Sequence, residues 1–308
     1  MYQIQTLNKI SPLGLKLFEQ DKFQCSDRPE NPEAILVRSA AMHDMEFGSN
    51  LLAIGRAGAG VNNIPLPRCS EQGIVVFNTP GANANAVKEL VLTGMLLSSR
   101  KVVDGINWAK TLEGDSVPAQ VEKGKSSFVG PELNGKNLGV IGLGAIGAMV
   151  ANTATHLGMS VYGYDPFITV ASAWRLSRSV MHSTSQKAVF ENSDYITLHV
   201  PVTADTKGMI GKEAFAQMKD GVRLLNFSRG ELVNEDALEE ALESGKVACY
   251  VTDFPNERVL KMKNVIAIPH LGASTPEAED NCAMMAVRQV SDYLLNGNIT
   301  NSVNFPVL

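Results

Sequence analysis

The stretch Leu138–Gly147, Leu-Gly-Val-Ile-Gly-Leu-Gly-Ala-Ile-Gly, constrains this chain more than any other. It reads as a buried strand that runs into a glycine-rich turn and on into a helix carrying Met149, Val150, Ala154 and Leu157. Gly142, Gly144 and Gly147 stand in the register G-x-G-x-x-G. Gly142 allows the tight turn, Gly144 lets a pyrophosphate approach the backbone, and Gly147 lets the helix lie close on the strand. The helix start, through Ala145 and Ile146, then offers unpaired N–H groups and a positive dipole end to phosphates. A further strand, Ser160–Tyr164, ends in Asp165, eighteen residues beyond Gly147. An acid at that distance accepts hydrogen bonds from ribose hydroxyls and repels a 2′-phosphate, so the expected cofactor is NAD rather than NADP.

A chain of 308 residues has room for two domains, each with its own core. Its 44% hydrophobic and 19% charged residues suit a globular protein, and a net charge of −5 without a basic block argues against nucleic acid as a partner. Cys25, Cys69, Cys249 and Cys282 are scattered, with no metal-ligand spacing, and point to a reducing compartment. No basic segment leads into an apolar core at the amino terminus, and no apolar run approaches a membrane span. A cytoplasmic protein without membrane or metal partners is expected.

The first hundred residues carry short apolar runs at 35–37, 51–54 and 74–77, separated by segments of helical length, which predicts a parallel sheet. Polar residues follow each run: Arg38 and Ser39, then Gly55 to Gly60, then Asn78, Thr79 and Pro80. Ligands in open α/β sheets bind outside the carboxyl ends of the strands. Gly58 and Gly60 leave backbone N–H groups free for an anion, and Arg38 and Arg56 add positive charge. From Asn83 a helical pattern runs to Leu97 and bridges to the second unit.

That second unit repeats strand and helix from Leu138 to about Asn281. Strands are predicted at 195–200, 223–227, 248–252 and 265–268. Between two of them, Asn234 caps a helix whose first turn carries Glu235 and Asp236 and which Gly245 ends. The last three strands deliver Arg229, then Asp253 with Glu257, then His270 at one sheet edge, the edge that also carries Gly142. An arginine, a carboxylate and a histidine meeting there suit an alcohol–carbonyl redox step on an acid. His270 takes or returns the hydroxyl proton. Glu257 on the other ring nitrogen would fix the tautomer, while Arg229 grips the substrate carboxylate in a two-pronged pair. Asp253, nearer its strand, is better placed for the nicotinamide side.

Gly55–Gly60, Asn78–Pro80, Glu132–Lys136, the Gly142 fingerprint, Asn226–Gly230 and Pro269–Thr275 together resemble the D-isomer-specific 2-hydroxyacid dehydrogenases over nearly the whole chain. The resemblance implies an α/β chain of two Rossmann-like or flavodoxin-like parallel-sheet domains. The NAD domain, residues 100–281, would be inserted into a substrate domain of residues 1–99 and 282–308. It further implies cofactor contacts from Pro201, Phe227, Ser228, Asp253, Gly272 and Ala273, and substrate contacts from Arg38, Ser39, Arg56, Ala57, Gly58, Ala59 and Asn83. Arg229, Glu257 and His270 would be catalytic, and a homodimer would form through the NAD domain.

Within the family the motifs are most similar to those of members acting on D-3-phosphoglycerate, whose phosphate would call on Arg38 and Arg56. NAD-dependent oxidation of that acid is the expected activity. Reduction of hydroxypyruvate or glyoxylate is the alternative, and a non-catalytic NAD sensor is a third reading. Two departures stand out. The family places its catalytic Glu five residues after the strand-end Asp and before Pro, whereas here Glu257 is four residues after Asp253 and Arg258 follows. The chain stops at Leu308, so the extra regulatory domains of longer members are not expected.

Overall fold

The computed structural model describes residues 1–305 and divides into two compact units. The first is Met1–Ala86 together with the stretch from Ala273 onward, and the second is Val87–Gly272. In the first unit β1 (Tyr2–Leu7), β2 (Phe23–Ser26), β3 (Ala34–Val37), β4 (Ala53–Arg56) and β5 (Val75–Phe77) form a sheet in the order β2-β1-β3-β4-β5. Every pairing in it is parallel. All four residues of β3, Ala-Ile-Leu-Val, are buried, because a parallel strand is covered on both faces and needs an unbroken apolar run.

The helix Pro276–Asn296 returns the chain to this sheet. The Thr275 side chain caps it by accepting from the Ala278 N–H, Pro276 occupies its first turn, and Gly297 ends it at φ +74°. Its Cys282, Ala283, Ala286, Val287, Val290 and Leu294 join Ile4, Leu36, Phe77 and others in one core cluster. The expected apolar face of this helix is the one that is buried.

The second unit contains β6 (Asn137–Ile141), β7 (Ser160–Tyr164), β8 (Val180–His182), β9 (Tyr195–Leu198), β10 (Val222–Asn226), β11 (Val247–Thr252) and β12 (Val265–Ala267). They lie in the order β12-β11-β10-β9-β6-β7-β8, again with every pairing parallel. The sheet grows outward from β6 in both directions, so the order reverses between β6 and β9. In doubly wound sheets that reversal opens the crevice where a dinucleotide binds.

The crossings between units fall at 86/87 and 272/273, thirteen and nine residues before the sequence boundaries at 99/100 and 281/282. Val87, Val91 and Met95 of the helix Ala84–Arg100 pack with Leu138, Val140, Val161 and Val251 in the second unit's core, which moves the first crossing back to residue 86. Among the described residues no helix is long and apolar enough to cross a membrane.

Candidate active site

The glycine-rich turn sits at the reversal point and its three glycines do different things. Gly142 has φ +91°, and a Cβ on it would meet the His199 carbonyl oxygen at 2.4 Å. A Cβ on Gly147 would meet the Gly142 carbonyl oxygen at 1.9 Å, so this glycine lets the helix Ala145–His156 lie against the turn. A Cβ on Gly144 would meet nothing within 4 Å. The fold therefore does not need glycine at 144, whereas a phosphate approaching the backbone does. No side chain caps the helix at Gly144, which leaves its first N–H groups, from Ala145 and Ile146 onward, for an anion.

Asp165, at the end of β7, is fixed at the rim of this turn. Its Oδ2 accepts from the Leu143 N–H at 2.8 Å and its Oδ1 from the Phe167 N–H at 2.9 Å. Each oxygen keeps a second lone pair for a ribose hydroxyl. A bare helix start, a backbone open at Gly144 and an acid at the next strand end are the donor and acceptor set a dinucleotide needs, so the residues fit NAD.

Beneath the turn lies His199. Its backbone N–H donates to the Ile141 carbonyl at 2.8 Å, and its Nε2 is 3.0 Å from the Thr197 hydroxyl. Its Nδ1 is buried without a partner, and burial lowers the imidazole pKa to about 3.

Arg229, Asp253, Phe254 and His270 gather at the exits of β10, β11 and β12. The fully buried Asn226, last residue of β10, holds the turn that carries Arg229. Its Oδ1 accepts from the Ser228 and Arg229 N–H groups at 3.2 and 3.3 Å, and its Nδ2 donates to the Arg229 carbonyl at 2.8 Å. The Arg229 Nη1 donates to the Ser228 carbonyl at 2.6 Å, and its Cζ lies 5.9 Å from the centre of the Phe254 ring. On the Phe254 ring also leans His270, with ring centres 4.9 Å apart. The one sequence signal for Phe254 is its place directly after Asp253.

His270 has φ +36°, a left-handed conformation that costs a non-glycine residue roughly 1–3 kcal/mol and gathers at functional sites. Its N–H holds that turn by donating to the Asp253 and Ile268 carbonyls at 3.1 and 2.9 Å. The Asp253 side chain is buried, its residue being 1% exposed. Oδ2 accepts from the Gly272 N–H at 3.2 Å, and Oδ1 has no hydrogen-bond partner. Burial pushes the carboxyl pKa up, while His270, the Gly272 N–H and Arg229 pull it down. Asp253, Phe254 and His270 line a cavity of about 820 Å³, with Lys207, Glu231 and Glu235 also on its wall.

Glu257 is not brought to His270. It is the first residue of the helix Glu257–Lys261, its side chain is 84% exposed, and it pairs with Lys261 at 2.5 Å. The cause is Asn256, whose Oδ1 accepts from the Val259 N–H at 2.9 Å and whose Nδ2 donates to the Glu235 Oε1 at 2.6 Å. Asparagine is a strong N-cap residue, so the cap starts the helix at 257 and turns that side chain outward. The run Asn256-Glu-Arg-Val259 was the sequence signal for it.

Of the remaining sequence-predicted positions in this unit, the Pro201 carbonyl accepts from the Thr206 hydroxyl at 2.6 Å, Phe227 is buried in the core, and Gly272 closes on Asp253. Ala273 falls in the first unit. There Arg38 forms an ion pair with Glu279 at 2.7 Å, and its carbonyl accepts from the Arg56 Nε at 3.0 Å. The Arg56 guanidinium lies over Gly58, where a Cβ would meet its Nη1 at 1.9 Å. Ser39 donates its N–H to Asn8 Oδ1, Ala57 to the Val37 carbonyl and Gly58 to the Arg56 carbonyl, while the Ala59 carbonyl accepts from Asn78. Asn83 is half-buried just ahead of the helix Ala84–Arg100. Among the described residues no group of three or more His, Cys, Asp or Glu side chains could hold a metal ion.

Residues 92–272 match the family model described as D-isomer specific 2-hydroxyacid dehydrogenase, NAD binding domain, and the chain belongs to that family. It is 38% identical over 287 residues to D-3-phosphoglycerate dehydrogenase of Archaeoglobus fulgidus, which covers 89% of this chain and 52% of that protein. The chain spans about half the length of the first relatives it matches. Among solved structures, an NAD+-bound 3-phosphoglycerate dehydrogenase of Entamoeba histolytica superposes with a TM-score of 0.78 at 27% identity, covering 99% of both chains. A glyoxylate reductase from Paecilomyes thermophila has a TM-score of 0.80 at 24% identity, over 98% of both chains, and so shares the fold.

Proposed function

We propose that the protein oxidises D-3-phosphoglycerate to 3-phosphohydroxypyruvate with NAD, an entry step toward serine. The observation that carries the reading is Arg229 and His270 held against one Phe254 ring at the sheet edge that also bears the glycine-rich turn. When bound, NAD supplies the hydride acceptor. Arg229 grips the substrate carboxylate and polarises the neighbouring carbonyl. His270 takes the hydroxyl proton on oxidation and returns it on reduction. Asp165 favours NAD by repelling a 2′-phosphate. In the first unit Arg38 and Arg56 are the cations for the substrate phosphate.

Reduction of an unphosphorylated acid such as hydroxypyruvate or glyoxylate is the second reading, favoured by the Glu279 carboxylate that already occupies Arg38. We also infer a homodimer, supported by Val102, Val103, Ile106 and Val129, which expose 41%, 42%, 49% and 72% of their surface around a helix with no buried residue. A reducing, cytoplasmic setting is supported by the four cysteines, all unpaired.

The deciding experiment follows NADH absorbance with 3-phosphohydroxypyruvate, hydroxypyruvate and glyoxylate, with NADPH as control. A strong preference for the phosphorylated acid is expected. Preference for an unphosphorylated acid would move the substrate to the second reading, and NAD binding without turnover of any acid would make the protein a sensor.

A further inference from the structure

The imidazole of an acid/base histidine works best when a carboxylate accepts from one ring nitrogen, leaving the other to meet the substrate. Glu257, the residue at the family's motif position, turns away from His270 and pairs with Lys261. We propose that Asp253 is the carboxylate that positions His270 in this protein, a role that rests on the dehydrogenase reading above.

Three features carry it. The loop from Ile268 to Gly272 is wrapped on Asp253: the His270 N–H donates to its carbonyl at 3.1 Å, and the Gly272 N–H donates to its Oδ2 at 3.2 Å. The two bonds bracket His270 and hold its backbone at φ +36°. Next, Oδ1 of Asp253 is buried and has no hydrogen-bond partner. A buried carboxylate oxygen left unpaired is costly, and an imidazole N–H is the donor that would satisfy it. Finally, positive charge on His270 or on Arg229 favours the ionised form of the Asp253 carboxyl against the cost of its burial. The other charges lining the cavity with His270 are Lys207, Glu231 and Glu235. None of the three has a hydrogen bond or ion pair with it, and Glu235 is engaged by Asn256.

Asp253 leaves β11 directly and is set by the sheet, while Glu257 is set by a loop one residue shorter than the family pattern. The Asn256 cap turns the motif glutamate away from the imidazole, and the strand-end aspartate stays in place. Asp253 thereby stabilises the imidazolium that forms when His270 takes the hydroxyl proton.

The test reads the His270 ring directly, in the full chain without cofactor, by long-range 1H–15N correlation in the neutral imidazole. The wild-type ring is expected to carry its proton on one nitrogen. In Asp253→Asn the ring nitrogen shifts move toward a mixture of tautomers, and in Glu257→Gln they stay as in wild type. Unchanged ring shifts in Asp253→Asn overturn the proposal, whatever Glu257→Gln does. Should Asp253→Asn fail to fold, the wild type decides alone: a ring with the tautomer ratio of free imidazole overturns it. None of these readings needs turnover, so failure of the proposed activity is seen separately. In the active enzyme, Asp253→Asn lowers kcat on the order of 100-fold while KM for the keto acid, set by Arg229, stays within about twofold.

Discussion

His199 makes the second unit acid-sensitive in a way that can be calculated. The half-buried residue keeps its imidazole neutral, with Nδ1 shut away under the glycine-rich turn and a pKa near 3 against 6.5 in the unfolded chain. Below pH 6.5 the unfolded chain binds a proton there that the folded chain refuses, so stability falls as pH falls, down to about pH 3. Each pH unit in that window costs about 1.4 kcal/mol, and a drop from pH 7 to pH 5 therefore costs about 2 kcal/mol. The protein's two tryptophans, Trp108 and Trp174, both lie in the second unit, so urea unfolding followed by fluorescence reads that unit. Wild type and His199→Gln are compared at pH 7 and pH 5. The variant starts less stable, having disturbed the Thr197 contact, but loses about 2 kcal/mol less than wild type between the two pH values. Carboxylates that titrate over the same range act equally on both proteins and cancel in the comparison. Equal losses in wild type and variant would refute the reasoning, since they would mean that His199 is protonated within the fold.

The remaining predictions concern the turn, the arginine pair and a cap. Gly147→Ala drives a methyl into the Gly142 carbonyl, so it lowers the melting temperature sharply or prevents folding, whereas Gly144→Ala folds normally and weakens NADH binding by at least about tenfold, as calorimetric titration would show. Glu279→Gln releases Arg38 from its ion pair; KM for 3-phosphohydroxypyruvate drops several-fold while KM for hydroxypyruvate is unchanged, and equal effects on both acids would remove Arg38 from phosphate binding. Asn234→Ala deletes the cap that accepts from the Ala237 N–H and costs about 1 kcal/mol in urea unfolding, with kcat unaltered.

Much of this fold was legible because parallel strands buried on both faces leave unbroken apolar runs. Ala34–Val37 is of that kind, and Tyr195–Leu198 departs from it only at the buried Thr197. The strands that left no such mark are β1, β2 and β8. In β1 Gln3 and Gln5 alternate with apolar neighbours and only Ile4 is fully buried; β8 is three residues long at the sheet's edge, with two of them exposed. The glycine turn, Arg229 and His270 were legible for a different reason, since strand ends of one parallel sheet share an edge and residue type then limits the chemistry. What the sequence hid was orientation. Nothing in the spacing from Asp253 to Glu257 told which way the glutamate faced, because the Asn256 cap decides it through a bond to Glu235 on a different helix. The strained turn at His270 was hidden likewise, as it depends on two carbonyls contributed by Asp253 and Ile268.

The helix Pro276–Asn296, which completes the core of the first unit, is separated from that unit's five strands by the whole of Val87–Gly272. On the ribosome, the second unit can close as soon as β12 has emerged, while the first waits with one face of its sheet uncovered until the helix Pro276–Asn296 is made. Joining segments so far apart in sequence adds to the entropic barrier that slows assembly. The first unit is thus the later to fold and the one that presents Ile4, Leu36 and Phe77 to chaperones or to other nascent chains in the interval.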